Sequence, residues 1–80
     1  MRVKVKIGAT VRYYVKFPDE YLKGQEIAVE EGATTGGILE MLHFPERVVA
    51  MIVVNGFQTD ATKVLKEGDE IHIMAPLSGG

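Results

Sequence analysis

Cysteine is absent from the 80 residues, and this absence excludes disulfides, thiolate metal sites and a cysteine nucleophile. The N-terminal segment MRVKVKIGAT lacks the continuous apolar run of a signal peptide or a membrane span, because charged and apolar residues alternate in it. Serine occurs only as Ser78, without the G-x-S-x-G pattern of a nucleophile elbow. These absences predict a cytoplasmic protein that does not act on a membrane and has neither cysteine chemistry nor a serine triad.

The length and composition predict one small folded domain. Eighty residues leave room for one modest core, and 46% hydrophobic with 25% charged residues is typical of a globular chain. The net charge of −2 argues against nucleic acid as the main partner, because such binding depends on neutralising phosphates. A local basic patch remains compatible with this balance.

Hydrophobic periodicity predicts a sheet. Alternation in RVKVKI predicts a first strand over Arg2–Ile7, with Val3, Val5 and Ile7 facing inward. Further strands are predicted over Gln25–Glu30 and over the apolar run Val48–Val54, which ends in the hairpin dipeptide Asn55-Gly56 before a short return strand. In the closing strand Ile71–Ala75, we expect Ile71, Ile73 and Ala75 to face inward and His72 and Met74 to face outward.

One helix is predicted after the second strand. Ile38, Leu39, Met41 and Leu42 form its apolar stripe, and Thr34 or Thr35 is expected to cap its first turn. The segment Gly8–Gly24 is mixed: VRYYVKF is compatible with a strand or an irregular turn, and PDEYLKG is typical of a loop. The predicted fold class is therefore α+β, a mixed sheet of four to five strands with one main helix packed on one face.

A single helix covers one face of such a sheet, so the other face needs a second explanation. We expect an apolar outer surface that includes Met51, Val53 and Met74, flanked by Lys4 and Lys6, and we interpret it as a partner-binding surface. The alternative is that the Gly8–Gly24 segment folds over these side chains and buries them.

Motifs for catalysis, metal binding or phosphate binding are weak. Gly36 and Gly37 precede Ile38 rather than the Lys-Ser/Thr of a phosphate-binding loop, and are expected to let the helix start pack closely on the sheet. His43 is expected at the helix end, where a partly cationic imidazole favours the helix dipole, and His72 on an exposed strand surface. The acidic residues Asp60, Glu67, Asp69 and Glu70 are expected to be solvated turn charges, and no metal site is predicted.

The C-terminal residues PLSGG, Pro76–Gly80, differ in character from the rest. Proline stops the preceding strand, and five extended residues reach roughly 17 Å at about 3.3 to 3.6 Å each. Because Gly79 and Gly80 have no Cβ atoms, such an arm can enter a narrow active site of another protein and present its carboxylate. We therefore divide the chain into a domain (1–75) and a tail (76–80); the alternative is a frayed terminus.

The stretches EEGATTGGILEML, VVNGFQTD, VLKEGDEIHIMAPLSGG and, more weakly, VKVKIGATVRYY resemble the ubiquitin-like sulfur-carrier family. This family includes the small subunit of molybdopterin synthase, MoaD, and the thiamine-pathway carrier ThiS. The resemblance implies a β-grasp fold and a terminal glycine, here Gly80, that is adenylated and then converted to a thiocarboxylate, while Gly79 provides clearance.

The resemblance also implies the partners. An E1-like adenylating enzyme would consume ATP and Mg²⁺ on its own surface, so no cofactor bound by this chain is expected and the chain is not itself an enzyme. The sulfur recipient would be a molybdopterin synthase large subunit or a thiazole synthase. The ending APLSGG favours molybdopterin-type or tungsten-pterin synthesis, with Met51, Val53, Met74, Pro76, Leu77 and Ser78 as partner-binding residues.

Three alternatives stay open. A ubiquitin-like modifier would join the activated Gly80 to lysine side chains through an isopeptide bond. A binding module like the β-grasp domain of threonyl-tRNA synthetases shares the GAT and KEGDEI features but does not need the Gly-Gly ending. The last alternative is a β-grasp domain with an accidental tail.

Overall fold

The computed structural model describes residues 1–44 and 51–75. The first part of the predicted Val48–Val54 strand and all of Pro76–Gly80 lie outside these ranges, so the division into domain and tail stays a prediction. Five strands, two α-helices and one 3-10 helix are described. They are β1 (Arg2–Ile7), the 3-10 helix (Ala9–Tyr13), α1 (Glu20–Lys23), β2 (Gln25–Ala28), α2 (Thr35–Met41), β3 (Met51–Val54), β4 (Phe57–Thr59) and β5 (Glu70–Met74).

The strands form one mixed sheet in the order β2-β1-β5-β3-β4. The first and last strands of the chain, β1 and β5, are parallel neighbours in its middle, with Val5 beside Ile71 and Ile7 beside Ile73. The pairs β1–β2, β3–β5 and β3–β4 are antiparallel. The predicted mixed sheet with one main helix is confirmed, and the described residues contribute five strands to it.

The core lies on one face of this sheet. Alternation in β1 is complete, since Val3, Val5 and Ile7 are buried while Arg2, Lys4 and Lys6 are exposed. In β5, Ile71 and Ile73 are buried as predicted, and Ala75 packs against the core. The buried hydrophobic residues described form one core cluster: Val3, Val5, Ile7, Val11, Ile38, Ile52, Val54, Leu65, Ile71 and Ile73.

Helix α2 begins at the predicted cap. The Thr34 hydroxyl accepts a hydrogen bond from the Gly37 amide at 3.1 Å. Ile38 is buried, and Leu39 and Leu42 pack at the edge of the core. The prediction was wrong for Met41, the last residue of this short helix, which is 47% exposed and, unlike Leu39 and Leu42, does not pack against the core.

The start of α2 packs against a loop rather than against the sheet. The amides of Thr35 and Gly36 donate to the carbonyls of Lys63 and Ala61, and the Thr35 hydroxyl donates to the Asp60 carbonyl at 2.5 Å. A Cβ added to Gly36 would lie 2.8 Å from the Ala61 carbonyl oxygen. The expectation for the two glycines is therefore corrected. Gly36 permits close approach to the 60–63 loop, whereas a Cβ at Gly37 would meet, among the described residues, only the capping Thr34 hydroxyl.

The Gly8–Gly24 segment folds into two short helical turns. VRYYVKF begins within the 3-10 helix rather than extending β1, and Val11 from this helix enters the core. The stretch read as a loop contains α1, which begins after Asp19 and ends at Gly24, a residue with φ of 106°. Only glycine adopts such an angle readily, so Gly24 allows the chain to turn directly into β2.

The β3–β4 hairpin forms at the predicted dipeptide. Asn55 and Gly56 both have positive φ, at 51° and 88°. Two such residues in succession match the twist of antiparallel strands, which is why asparagine and glycine are favoured there. The short return strand is β4, at one edge of the sheet.

We predict opposite effects of alanine at the two helical glycines. Gly36→Ala should destabilise the fold by about 1 to 3 kcal/mol, because the new methyl group meets the Ala61 carbonyl. Gly37→Ala should be neutral or stabilise by up to about 1 kcal/mol, since its Cβ would meet only the Thr34 hydroxyl at 3.6 Å. Urea unfolding of both variants measures this difference, and equal free energies of unfolding would contradict the packing described.

Candidate partner-binding face

The face of the sheet opposite the core, which we call the outer face, carries three of the residues predicted to bind a partner. Cross-strand register places Met51 beside Met74 and Val53 beside His72. It also places Lys6 beside His72 on the other side of β5. The structure therefore brings Met51, Val53 and Met74 together on one face, next to a lysine, as the sequence predicts.

The apolar residues of the outer face are half-buried rather than open. Met51, Val53 and Met74 all have intermediate exposure. The Gly8–Gly24 segment was the alternative cover for this face. Its Val11 is buried in the core, and Val15, Phe17 and Tyr21 pack against the core. The outer face therefore has an apolar centre of moderate exposure, suited to contact with another surface.

A groove on this face brings together three basic side chains from two elements. Lys4 and Lys6 come from β1, and Lys23 comes from the end of α1. Glu70 is the acidic residue among the groove's lining. The remaining lining residues are Val53, Asn55, Gly56, Ile71 and His72. The local basic patch that the overall charge left open is therefore present here.

His72 lies within this groove and is half-buried, whereas the sequence predicted an exposed strand residue. Burial lowers the pKa of its imidazole below the ordinary histidine value, and the nearby Lys6 ammonium lowers the same pKa further. Both effects favour the neutral imidazole at pH 7. His72 therefore adds polar but uncharged surface to the outer face.

Asp69 departs most from the expectation of a solvated turn charge, because it is only 8% exposed. Its carboxylate accepts from the Lys66 amide at 2.8 Å and from the Asn55 side-chain amide at 2.9 Å. The Asn55 side-chain oxygen in turn accepts from the Glu70 amide at 2.9 Å. This network ties the β3–β4 turn to the start of β5, so it supports one end of the groove.

Hydrogen bonds to the charged form explain the ionisation of Asp69. The Lys66 amide makes the largest contribution to lowering its pKa, burial opposes this effect, and Asn55 and the Lys63 and Lys66 ammonium groups assist. The sequence signal was an Asn-Gly turn followed by an aspartate in KEGDE. The sequence alone does not predict the contact between Asn55 and Asp69, because that contact depends on the pairing of β3 with β5.

The other acidic turn residues are exposed, as expected. Asp60 accepts from the amide and hydroxyl of Thr62, and these bonds lower its pKa. Glu67 accepts from the Arg2 amide at 2.7 Å. Within residues 1–44 and 51–75, no three His, Cys, Asp or Glu side chains lie close enough to hold a metal ion together.

The glycine-rich start of α2 is not available as a phosphate cradle. The amides of Thr35, Gly36 and Gly37 already donate to Lys63, Ala61 and Thr34. Anion sites at helix starts require free amides. This geometry supports the sequence interpretation that GATTGG has a packing role.

His43 follows the end of α2 and has φ of 60°. Its amide donates to the Glu40 carbonyl, and the Phe44 amide donates to the Leu39 carbonyl. This pair of bonds forms a Schellman motif, in which glycine is the usual residue at the position of His43. The histidine thus lies at the helix end as predicted; its backbone closes the helix, and the imidazole is exposed.

Some large exposed apolar side chains were missed by sequence reasoning. Tyr13 is 86% exposed and Phe57 is 79% exposed. Tyr14 and Met41 line a second groove, on the side of α1 and α2. No helix within residues 1–44 and 51–75 is long and apolar enough to cross a bilayer.

The predicted reactive tail, Pro76, Leu77, Ser78, Gly79 and Gly80, lies outside the described residues. The chain reaches it from β5, which pairs with β1 on one side and β3 on the other. Ala75, the last described residue, packs against the core. The base of the tail is therefore anchored in the middle of the sheet.

Comparison with known proteins identifies the family. The model of the ThiS family matches residues 10–80, which include both C-terminal glycines. The chain belongs to the ThiS family. A search of curated proteins finds no match. The predicted membership of the sulfur-carrier family is thus confirmed at the level of the family.

Solved structures with the same fold support the β-grasp assignment. A putative molybdopterin converting factor subunit 1 from Pyrococcus furiosus is 24% identical, with a TM-score of 0.70 over 95% of this chain and 98% of that chain. The SAMP1 structure from Haloferax volcanii is 17% identical, with a TM-score of 0.68 over 100% of both chains. Subunit 1 and 2 of the molybdopterin-converting factor from Helicobacter pylori form a solved complex; the matching chain is 22% identical, with a TM-score of 0.61 over 100% of both chains. The chain has the ubiquitin-like β-grasp fold of small sulfur carriers.

We predict that Asp69→Asn lowers the free energy of unfolding at pH 7 by about 1 to 3 kcal/mol, because a buried network loses an acceptor. Since the folded-state pKa of Asp69 lies below its ordinary value, its contribution is present above that value and is lost as the pH falls through the folded pKa. The variant's deficit should therefore shrink in acid. Urea unfolding between pH 7 and pH 2 measures this dependence.

Glu31→Gln provides the matched control, because it removes the same charge from an exposed turn residue. It should leave the free energy of unfolding within about 0.5 kcal/mol of the wild-type value. A deficit in Asp69→Asn that is no larger than in Glu31→Gln would contradict the proposed network.

Proposed function

We propose that this chain is a sulfur carrier whose Gly80 carboxylate is activated by an ATP-dependent enzyme and converted to a thiocarboxylate. The observation that carries the proposal is the ThiS family match over residues 10–80, because it extends through Gly79 and Gly80. The sulfur is proposed to serve molybdopterin or tungsten-pterin synthesis. A cytoplasmic location stays a prediction from the sequence.

The chemistry needs two steps, both on the partner. A carboxylate oxygen of Gly80 attacks the α-phosphorus of ATP, and pyrophosphate leaves as the acyl adenylate forms. A sulfur nucleophile at the oxidation level of hydrosulfide then attacks the carbonyl carbon of the adenylate, and AMP leaves with the electron pair of the broken bond. The sulfur loses its proton, which gives the thiocarboxylate. Adenylation is required because a free carboxylate is a poor electrophile. ATP and Mg²⁺ are assigned to the activating enzyme, so the chain contributes only its terminus and a docking surface.

The outer face supports this division of labour. Met51, Val53 and Met74 share the face and are half-buried, which fits a contact surface better than a core. We propose that they hold the carrier on its partner while Pro76, Leu77 and Ser78 pass along the channel that leads to the reacting centre. The anchoring of Ala75 against the core supports a tail that starts from a fixed point.

The recipient is proposed to be a molybdopterin synthase large subunit. The support is the fold shared with subunit 1 in the Helicobacter pylori complex with subunit 2, together with the APLSGG ending. Thiazole synthase, in the thiamine pathway, is the alternative recipient suggested by the family model.

Protein modification is the second candidate function. The observation that favours it is the fold shared with a small archaeal modifier protein from Haloferax volcanii, at a TM-score of 0.69. A modifier uses the same activated Gly80 but transfers it to a lysine amine, with formation of an isopeptide bond. Conjugates in cell extract would therefore distinguish this use from sulfur transfer alone.

The decisive test is intact mass spectrometry after incubation with the host's activating enzyme, ATP and a sulfide source. We expect the mass gain of one oxygen replaced by sulfur, located at Gly80 by fragmentation. No gain, when the same enzyme preparation thiolates another carrier, would contradict the proposal.

A terminal variant separates the tail's chemistry from the fold. Gly80→Ala should slow thiocarboxylate formation at least about tenfold, because the added Cβ meets the narrow channel. Its melting temperature should stay within about 1 °C of the wild-type value, since terminal residues contribute little to stability. An unchanged rate, or a large loss of melting temperature, would contradict the assigned role of Gly80.

A further inference from the structure

The charge of the outer face differs in sign from that of the whole chain. Three lysines line its groove together with a single glutamate, Glu70, whereas the complete sequence has a net charge of −2. Positive charge is therefore concentrated on the face opposite the core. Such an asymmetry steers association toward partners of opposite charge.

The groove lysines are not neutralised within the described part of the chain. The ion pairs found in residues 1–44 and 51–75 are Arg2–Glu26 and Arg12–Asp19, and neither contains a groove lysine. Lys6 has a histidine, not an acid, as its neighbour on β5. Lys4 lies between Glu70 on β5 and Glu26 on β2 in the register but forms an ion pair with neither, and Glu26 pairs with Arg2. With respect to the described residues, these cations are available to an external carboxylate.

Backbone geometry concentrates two of the lysines. The Lys4 side chain lies over Gly24, because a Cβ at that glycine would be 2.6 Å from the Lys4 Cε atom. Gly24 directly follows Lys23, so the Lys4 side chain lies against the backbone next to Lys23, and both lysines line the groove. An anion bound in the groove would therefore be attracted by both charges.

Apart from Glu70, the residues that line the groove with these lysines are apolar or uncharged. Val53 lines the groove, and Met51 and Met74 continue the same face. His72 is half-buried and lies between Val53 and Lys6 in the register. The pattern is an apolar centre with cations along one side, a common form of a specific protein interface.

We infer that the outer face docks a protein surface that presents carboxylates around an apolar patch, with Lys4, Lys6 and Lys23 facing those carboxylates. The inference rests on the proposed function, because it assigns this surface to the activating enzyme. Apolar contact by Met51, Val53 and Met74 holds the complex, and the lysines set its orientation and its rate of association.

Charge reversal of one groove lysine tests the inference. Lys6→Glu should weaken binding to the host's activating enzyme at least about tenfold at physiological salt, mainly through slower association, and 0.5 M NaCl should narrow the difference. Surface plasmon resonance without ATP measures binding separately from the reaction at Gly80. Circular dichroism of each variant establishes that the fold is retained.

Lys16→Glu is the matched control. Lys16 is exposed and lines the groove on the side of α1 and α2, so its reversal changes the net charge equally without touching the outer face. We expect its affinity to stay within about twofold of wild type, since distant charges are screened at physiological salt. Equal losses in Lys6→Glu and Lys16→Glu would overturn the inference and indicate only a net-charge effect.

A milder variant keeps the test independent of folding. Lys6→Gln removes the charge without adding an acid, and it should show a smaller loss than Lys6→Glu in the same direction. Unchanged affinity in both Lys6 variants would overturn the inference. Binding of a single-stranded RNA oligonucleotide by wild type, lost in Lys6→Glu while enzyme binding persists, would also overturn it and assign the groove to nucleic acid.

The thiocarboxylate assay separates the two levels of the account. A wild-type chain that gains sulfur at Gly80, with a Lys6→Glu variant that needs a higher enzyme concentration for the same yield, supports both. Sulfur gain with equal concentration dependence for the two chains would overturn only the docking inference. No sulfur gain in wild type would instead contradict the proposed function.

Discussion

The parallel pairing of β1 with β5 is the interaction on which the rest of the structure depends. It joins the two ends of the domain, and the core residues Val5, Ile7, Ile71 and Ile73 in these two strands are essentially inaccessible to solvent. Each buried aliphatic side chain contributes about 1.5 to 3 kcal/mol relative to an exposed one, and this pair of strands supplies half of the buried core residues described. With β5 fixed in the centre, β1 and β3 are held on either side of it.

The same pairing builds the candidate functional surface. Because side chains alternate along a strand, burying Ile71 and Ile73 directs His72 and Met74 to the outer face, where Lys6, Val53 and Met51 are their neighbours. The Asn55–Asp69 network fixes the end of β5 that lies beside the hairpin turn. Core packing and partner docking therefore use opposite sides of the same strands, and the tail begins where β5 ends.

Local chemistry made much of this fold predictable from the sequence. Alternation defined β1 and β5, the Thr34 hydroxyl marked the start of α2, and Asn55-Gly56 marked the hairpin. Contacts between distant segments were not predictable in this way. The sequence predicts Asp69 to be a solvated turn charge, but the β3–β5 pairing brings the Asn55 side chain to its carboxylate. The sequence predicts Met41 to belong to the apolar stripe of α2, but the helix ends at this residue. The outer face was predictable because one helix covers only one face of the sheet. Its groove was not, because Lys23 of α1 lines it and the weak periodicity of that segment does not predict the helix.

The most direct test of this account is an NMR pH titration of the His72 imidazole in wild type and in Lys6→Gln, with Lys16→Gln as the control. The register and the burial of His72 predict a pKa below the ordinary histidine value, which rises when the Lys6 charge is removed and stays unchanged in Lys16→Gln. A His72 pKa at or above the ordinary value, with no response to Lys6→Gln, would contradict the β1–β5 register and the outer face built on it.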